Sequence, residues 1–157
     1  MATTLRPLAD ADLDALFLWE SDPRAVELAA FTRADPSDRA AFEAHYERVR
    51  ANPENTLLAI EEEGAFAGTI GSYTLDEKRE VTYWIAPERW GRGVASRALL
   101  AFLELERTRP LYGRVAAHNA GSAKVLERAG FVEIGSDTGF APGLGRDVVE
   151  RIFRLDG

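Results

Sequence analysis

Apolar residues recur at helical spacing in four segments of the chain, and polar or helix-breaking residues bound each segment. The first helix is predicted to begin at Asp10 or Asp12 and to end at Asp22, because aspartate caps helix N-termini and the proline after Asp22 stops the helix. The predicted apolar stripes are Leu13, Leu16 and Phe17; Phe42, Tyr46 and Val49; Val94, Ala98, Phe102 and Leu105; and the apolar positions of residues 120–129.

The ends of the second and fourth helices carry their own signals. Asp35 followed by Pro36 is typical of an N-cap and a first helical position, and it predicts a helix that ends before Asn52. Gly130 stands where a left-handed C-terminal cap is needed after the fourth helix, and Phe131 is expected to fold back onto that helix.

Seven segments have the β-branched and aromatic content, or the alternation, that favours strands. Residues 61–64, three glutamates and a glycine, predict a solvated hairpin turn. The glycine-rich stretch 135–145 with Pro142 predicts an irregular loop that borders a site. The predicted strands are residues 5–8, 56–60, 65–75, 80–86, 111–117, 131–134 and 148–155.

The order of these elements predicts an α/β fold with one mixed sheet, antiparallel in its first half, and helices on both faces. We expect a single domain spanning residues 1–157, because a chain of this length encloses one hydrophobic core without disulfides or a structural metal. On strand 80–86, alternation separates two faces. Val81, Tyr83 and Ile85 share one face, and Glu80, Thr82 and Trp84 share the other.

Composition and charge limit the classes of partner. The chain has no cysteine, no apolar run near the ~20 residues of a membrane span, and no export-signal pattern at its N-terminus. We therefore expect a cytoplasmic protein that does not enter a membrane. A net charge of -7 opposes binding to nucleic acid and favours cationic partners such as amines. Oligomeric state, monomer or homodimer, stays open.

A glycine-containing turn joins strand 80–86 to the third helix. Gly91 and Gly93 let the backbone approach a ligand closely, and the unpaired amides of the helix's first turn form an anion site that the helix dipole reinforces. Arg92 and Ser96 add possible side-chain donors to phosphate oxygens. The turn is therefore a candidate diphosphate site.

Two other phosphate-binding motifs fit the turn poorly. A Walker A loop requires Gly-Lys-Ser/Thr, which the chain lacks. A dinucleotide fingerprint requires Gly or Ala in place of Ser96 and an acidic residue at the end of the next strand, where His118 and Asn119 stand instead. A turn that binds no ligand stays open, because two glycines alone do not decide the question.

Two longer motifs resemble the GCN5-related N-acetyltransferase superfamily, and within it the group of ribosomal-protein N-terminal acetyltransferases. They are residues 80–95, EVTYWIAPERWGRGVA, and residues 118–131, HNAGSAKVLERAGF. The opening LRPL of residues 5–8 and the late DVV of residues 147–149 also resemble that group, so the likeness covers nearly the whole chain. It implies a splayed mixed sheet, with acetyl-CoA as the acyl donor.

The resemblance implies roles for particular positions. The family's diphosphate turn, Gln/Arg-x-x-Gly-x-Gly/Ala, matches Trp90 to Ala95, and Trp90 departs from the pattern because it replaces a polar side chain. The backbone groups of Trp84, Ile85 and Ala86 are implied to pair with pantetheine and to supply a donor to the thioester carbonyl, which stabilises an oxyanion. The residues implied to bind the cofactor are Trp84, Ile85, Ala86, Trp90, Gly91, Arg92, Gly93, Val94, Ala95, Ser96 and Asn119.

Asn119 and Ser122 match the Asn-x-x-Ser string of the ribosomal-type group. Ser122 is the candidate general acid, or at least hydrogen-bond donor, for the departing thiolate, although the pair is also compatible with helix capping alone. Many members use a tyrosine four residues later, where this chain has Leu126.

The general base is harder to identify, because the acceptor ammonium must lose a proton before it attacks. Glu80 is the best-placed carboxylate, although a solvated glutamate at a strand edge explains it equally well. No protein base is needed if the acceptor is an N-terminal α-amine, whose pKa of about 8 leaves it partly neutral. Tyr83 and Trp84 could line an acceptor cleft, although aromatic strand residues more often pack inside, and the core is favoured for Tyr83. The isolated His45 and His118 predict no metal site.

The predicted function is acetyl transfer from acetyl-CoA to a primary amine, either a peptide or protein N-terminal α-amine or a small amine. A non-catalytic acyl-CoA-binding module of the same fold is the alternative, because Leu126 and the uncertain base weaken the catalytic case. A nucleotide-binding module with an incidental glycine turn is a third, more distant hypothesis.

Overall fold

The computed structural model describes residues 2–157 and contains one seven-stranded mixed sheet. The strands are β1 Thr3–Pro7, β2 Thr56–Glu62, β3 Ala65–Leu75, β4 Lys78–Ile85, β5 Leu111–Ala116, β6 Val132–Ala141 and β7 Arg146–Leu155. Their order across the sheet is β1-β2-β3-β4-β5-β7-β6. All neighbours are antiparallel except β4 and β5, which are parallel over only three residue pairs, Arg79 to Val81 against Leu111 to Gly113.

Five helices cover the sheet, and the α/β fold class with a mixed sheet is confirmed. They are α1 Leu13–Ser21, α2 Pro23–Ala29, α3 Arg39–Ala51, α4 Val94–Leu103 and α5 Ala120–Arg128. Within residues 2–157, no helix combines the length and the apolar run that crossing a bilayer requires.

The sheet has a separate apolar core on each face. On one face α4 and α5 pack through Leu99, Phe102 and Leu126, all fully buried, against the central strands. On the other face α1 and α3 pack through Leu16 and Phe42 against the first strands. A smaller cluster around Ala30 joins the end of α2 to β5 and the last hairpin. The helices of the second face leave part of β4 uncovered.

All four predicted helices are confirmed, but their caps differ in two places. The second predicted helix, α3, begins after Asp38, whose carboxylate accepts from the Ala41 amide at 3.0 Å, and not after Asp35. Asp35 instead accepts hydrogen bonds from Ser37 in the preceding turn. Asp12 precedes α1 but does not cap it, because its carboxylate is taken by the Ala9 amide and an arginine of β1.

Helix α2 was missed in the sequence because Asp22-Pro23 predicts a stop. The same pair also starts a helix: Asp22 caps α2 by accepting from the Arg24 amide at 2.9 Å, and Pro23 takes the first helical position. At the end of α4, Leu105 lies outside the helix and is 62% exposed, so its predicted place in the stripe is wrong.

The predicted irregular loop of residues 135–145 is wrong. Residues up to Ala141 belong to β6, which pairs with β7 in a long hairpin, and only residues 142–145 form the turn. Gly135 lies at a register shift in the ladder. Glycine content alone did not distinguish this edge strand from a loop, because backbone pairing with β7 supplies the order that the side chains do not.

The end of α5 agrees with its prediction. Gly130 has φ +100, and the Phe131 amide donates to the Leu126 carbonyl at 3.1 Å while its ring is buried. These contacts end α5 and direct the chain into β6.

Candidate active site

A cleft of about 660 Å³ opens where β4 and β5 diverge. Beyond Val81 the two strands share no ladder pairs, so the second half of β4 is paired on one side only. Five segments line the cleft: one side of α2, the end of β4, the turn after it, the first turn of α4, and one side of α5. The two motifs separated in the sequence therefore meet at one site.

The backbone of β4 presents alternate residues to this gap. The Ala86 amide donates to the Ala67 carbonyl at 2.8 Å, so Ala86 and Trp84 direct their backbone groups towards β3. The backbone groups of Tyr83 and Ile85 consequently face the gap. Of the three residues predicted to pair with pantetheine, only Ile85 has its amide in position to do so; the expectation fails for Trp84 and Ala86 because β3 already pairs them.

The turn before α4 has the geometry of an anion site. Gly91 and Gly93 adopt φ +75 and +77, which favour glycine. The first helical hydrogen bond runs from the Arg97 amide to the Gly93 carbonyl at 3.0 Å, so the amides of residues 94–96 have no partner within the helix. These unpaired donors and the positive end of the helix dipole point to the cleft.

The cationic side chains of the cleft differ from the one predicted. Arg92 is exposed and does not line the cleft, so its predicted phosphate contact is not supported. Arg89, Lys124 and Arg128 line it instead. Lys124 and Arg128 are four residues apart on α5, a spacing that puts both on one helix face and that the sequence already contained. Ser96 lines the cleft as predicted.

Arg97 holds the turn before α4 in place through side-chain hydrogen bonds. Its guanidinium donates to the Arg92 carbonyl at 2.9 Å, to Thr3 Oγ1 at 2.9 Å and to Glu62 at 2.6 Å. The Glu62 carboxylate is 4% exposed, and hydrogen bonds from Thr3 and Arg97 lower its pKa. The turn is thus tied to the β1–β2 edge of the sheet, a link that the sequence motif did not reveal.

Trp90, the residue that departs from the family pattern, has a structural contact of its own. Its indole Nε1 donates to the Ile85 carbonyl at 3.0 Å, and Arg24 of α2 lies 5.8 Å from its ring. The indole occupies the carbonyl that would otherwise point unpaired into the gap, and leaves the Ile85 amide available. Trp90 therefore couples α2 and the turn to the end of β4.

Ser122 lies at the start of α5, where Asn119 caps the helix by accepting from the Ser122 amide at 3.2 Å. Both residues line the cleft. The hydroxyl of Tyr83 lies 2.6 Å from Ser122 Oγ, and burial raises the pKa of Tyr83 to about 12. Tyr83 packs against the core as predicted, and its hydroxyl also reaches the cleft. Leu126 is buried, and its side chain packs over Gly113.

Glu80 lies on the other face of β4. It is 3% exposed, so the expectation of a solvated strand edge is wrong. Arg114 is 3.4 Å from Glu80 and also pairs with Glu150 at 3.1 Å. Burial is the main cause that raises the pKa of Glu80, and Arg114 opposes it. Glu80 does not line the cleft, but its neighbour Thr82 is exposed in the middle of the sheet, so this face of β4 is open.

Two predicted bystanders have different positions. His118 lines the cleft, and its Nε2 lies 2.5 Å from the Glu27 carbonyl of α2. His45 lies on α3, away from the cleft lining. Across the described chain, residues 2–157, no three or more His, Asp or Glu side chains are grouped as metal ligands.

Comparison with known proteins identifies relatives of the chain. Residues 3–132 match the family model described as the acetyltransferase (GNAT) domain. YdaF of Bacillus subtilis, whose name describes a ribosomal N-acetyltransferase, is 38% identical over 97 residues, which are 55% of this chain and 52% of YdaF. The match thus spans about half of that relative. It supports the resemblance to the ribosomal group.

Solved structures share the fold over the whole chain. The spermidine N-acetyltransferase of Vibrio cholerae, in complex with CoA and spermine, has a TM-score of 0.76 and 22% identity, covering 97% of this chain and 95% of that one. The acetyltransferase yncA of Salmonella typhimurium, solved with acetyl-CoA, has a TM-score of 0.70 and 20% identity, covering 99% and 94%. At these identities the likeness shows the fold.

Proposed function

The chain belongs to the acetyltransferase (GNAT) domain family, and from that premise we propose that it transfers the acetyl group of acetyl-CoA to a primary amine. The expectation of an acetyl-CoA-dependent N-acetyltransferase is confirmed at the level of the family. The proposal for this chain adds the acceptor class and the roles of its residues. One observation carries it: unpaired amides of a helix N-terminus and an unpaired strand edge converge on one cleft.

The cleft fits the chemistry of an acyl-CoA. The α4 amides and the side chains of Arg89, Lys124 and Arg128 offer neutral and charged donors to phosphates. The unpaired side of β4 offers an extended backbone to an amide-containing arm. Apolar residues of α2, Ala25 and Leu28, line the opposite wall. Removing the turn's conformation should therefore abolish binding.

An acetyl thioester supplies an electrophilic carbonyl carbon and a thiolate leaving group. The Ile85 amide is the backbone donor available to a carbonyl oxygen in the gap, where it would stabilise negative charge developing on that oxygen. Ser122 would donate a hydrogen bond to the departing sulfur. The amine nitrogen forms the new bond to the carbonyl carbon, the carbon–sulfur bond breaks, and its electron pair leaves on sulfur.

The proton lost by the attacking amine needs an acceptor. We assign it to Glu80 acting through water, because this carboxylate lies on the open face of β4 beside the exposed Thr82. The raised pKa of Glu80 brings it closer to the pKa of the acceptor ammonium, and this favours proton transfer from the ammonium to Glu80. Water is required because Glu80 does not line the cleft itself.

For the acceptor, we propose the N-terminal α-amine of a peptide or protein. We also propose that the reaction takes place in the cytoplasm and that residues 1–157 perform it as one domain. The name of YdaF supports this class more than the small polyamine of the more distant Vibrio cholerae enzyme. The net charge of -7 favours cationic acceptors of either kind.

Release of free thiol from acetyl-CoA, measured with a panel of amines, tests the function. We expect turnover with peptides that have a free N-terminus and none with the same peptides blocked at that amine. Mass spectrometry of the product locates the acetyl group. Acetyl-CoA binding without turnover across peptides, polyamines and free amino acids would support the non-catalytic binding module instead.

The role of Glu80 has a matched control in Glu150, which shares Arg114 but is less buried. The variant Glu80→Gln is expected to lower kcat/KM about tenfold or more. Because the pKa of Glu80 is raised, wild-type activity should fall as the pH drops through a value above 4.5, where Glu80 becomes protonated. This loss of activity at low pH should be absent from Glu80→Gln. A profile unchanged in Glu80→Gln, or lost equally in Glu150→Gln, would rule out Glu80 as the base.

A further inference from the structure

The hydrogen bond between the Tyr83 hydroxyl and Ser122 Oγ joins the sheet to the start of α5 inside the cleft. The two oxygens are 2.6 Å apart, and the Tyr83 hydroxyl also lies 3.3 Å from the Ser122 carbonyl. Tyr83 comes from β4 and Ser122 from α5, thirty-nine positions later in the chain. Both line the cleft, so the contact borders the site where the thiolate leaves.

Both partners are held by independent contacts. Ser122 follows the Asn119 cap, which fixes the backbone of the first turn of α5. Tyr83 is packed against the core formed by α4, α5 and the central strands, and its ring direction follows from strand alternation. These contacts hold the Ser122 backbone and the Tyr83 ring in place, so the two hydroxyls lie within hydrogen-bond distance before any ligand binds.

We propose that Tyr83 is a positioning residue for the leaving group: its phenol donates to Ser122 Oγ and thereby directs the serine proton at the sulfur. The inference rests on the proposed function for its catalytic consequence. A serine hydroxyl has one proton and two lone pairs. When a lone pair accepts from Tyr83, the proton is available to the sulfur; when serine donates to Tyr83 instead, only lone pairs face the departing thiolate.

Tyr83 does not supply the net proton. Burial raises the pKa of Tyr83 to about 12, whereas a thiol has a pKa of about 8.5. Proton transfer from the phenol to the thiolate is therefore unfavourable, because the phenol is much the weaker acid. Its contribution is a polarised hydrogen bond. The high pKa also keeps the phenol protonated across the working pH range, so the donor is always present.

The position where many family members have a tyrosine offers no hydroxyl in this chain. Leu126, one turn further along α5, is buried and packs over Gly113, where it offers no polar atom. The sequence leaves the proton donor to the leaving group in doubt because of this leucine. In the structure, a phenol from the adjacent strand comes within hydrogen-bond distance of Ser122 instead.

Kinetics of Tyr83→Phe provide the first test, with Tyr46→Phe as the matched control, since Tyr46 on α3 also has a hydrogen-bonded hydroxyl, to Glu20, but does not line the cleft. We expect kcat to fall about tenfold in Tyr83→Phe, the upper end of the effect of one neutral hydrogen bond, with KM for acetyl-CoA unchanged. Tyr46→Phe should leave kcat of the folded protein near wild type. In Ser122→Ala, adding Tyr83→Phe should cause no further loss, because Tyr83 acts through Ser122.

A second measurement does not depend on turnover. The ratio of affinities for CoA and desulfo-CoA, measured by calorimetry, reports the contact between Ser122 and sulfur at equilibrium. Wild type should favour CoA, and the preference should fall by the same factor in Tyr83→Phe and Ser122→Ala.

The results separate the two proposals. Absence of turnover with every amine, together with a preserved preference for CoA that Tyr83→Phe removes, would overturn the proposed function but support the positioning of Ser122. Additive losses in kcat, an equal loss of affinity for CoA and desulfo-CoA, or an unchanged ratio would each overturn the role of Tyr83.

Discussion

The two halves of β4 are held in different ways. The first half, around Arg79 and Glu80, is paired with strands on both sides and fixed by buried ion pairs. The second half, from Thr82 to Ile85, is paired on one side only, and a turn and a helix N-terminus complete its surroundings. The same strand is thus rigid framework at one end and open binding edge at the other.

This difference shows how one strand serves two purposes. Ion pairs between side chains stabilise the first half without using its backbone. The second half leaves backbone donors unpaired, a cost of a few kcal/mol if no ligand or water binds them. Substitutions in the second half should therefore affect ligand binding, and those in the first half should affect stability.

The largest effect is expected from Gly93→Val, which acts at the open end. A β-branched residue at φ +77 is strained, so the turn must change shape. Its Cβ would also displace the Arg97 guanidinium, 2.8 Å away, from its hydrogen bond to the Arg92 carbonyl. Affinity for acetyl-CoA should fall about a hundredfold or more, and the ligand-dependent rise in Tm should disappear.

The control for this substitution is Gly64→Val in the β2–β3 turn. Gly64 has φ +80 and nothing lies near its Cβ, so the backbone strain is similar but the cleft is distant. It should lower Tm and leave the affinity for acetyl-CoA unchanged. Equal loss of binding in both variants would mean that the effect is general destabilisation.

Glu106→Gln tests the framework end and should have the next largest effect. Glu106 accepts from Ser72 at 2.5 Å and Arg79 at 2.8 Å. Although burial opposes ionisation, these hydrogen bonds lower the pKa of Glu106 to about 2. A lowered pKa stabilises the fold above the ordinary value of 4.5, and that contribution is lost as the pH falls from 4.5 towards 2.

The variant should lower the free energy of unfolding by about 2 kcal/mol at pH 7, measured by urea denaturation. The difference in the free energy of unfolding between wild type and variant should become smaller as the pH falls below 4.5. Acetyl-CoA affinity of the folded protein should stay unchanged. A difference that is constant with pH would show that the charge of the Glu106 carboxylate does not stabilise β4.

The smallest effect is expected from Arg97→Met, which removes the hydrogen bonds of the Arg97 guanidinium but keeps the unpaired amides of residues 94–96. Without the hydrogen bond to the Arg92 carbonyl, affinity for acetyl-CoA should fall about fivefold to tenfold. Because Glu62 would be left buried without its arginine, the double variant with Glu62→Gln should recover stability but not affinity. Recovery of both would contradict a direct role in shaping the turn.

Much of the site could be predicted from local sequence. Gly91 and Gly93, the start of α4 and the Asn119 cap each depend on residues within one turn, so their spacing carries the information. Pairing partners across the sheet are not local. Which β4 amides face the gap depends on the register with β3, which a shift of one residue reverses.

The errors have the same origin. Tyr83 packs against the core as predicted, but its contact with Ser122 is missed, because an aromatic strand residue gives no sign that a serine thirty-nine residues later will reach its hydroxyl. Glu80 was expected in solvent because Arg114 comes from another strand. The stretch 135–145 was expected to be a loop because the pairing of β6 with β7 is not visible in its glycines.

The sequence by itself determined the two motifs, the glycine conformations of the turn and the order along the chain of the strands and of every α-helix except α2, since each depends on neighbours along the chain. The tertiary structure decided which groups meet: Tyr83 with Ser122, Arg97 with the turn, and Glu80 with Arg114. The physical reason is that hydrogen bonds and ion pairs require atoms within about 3 Å, and only the packed sheet and helices bring distant residues to that distance.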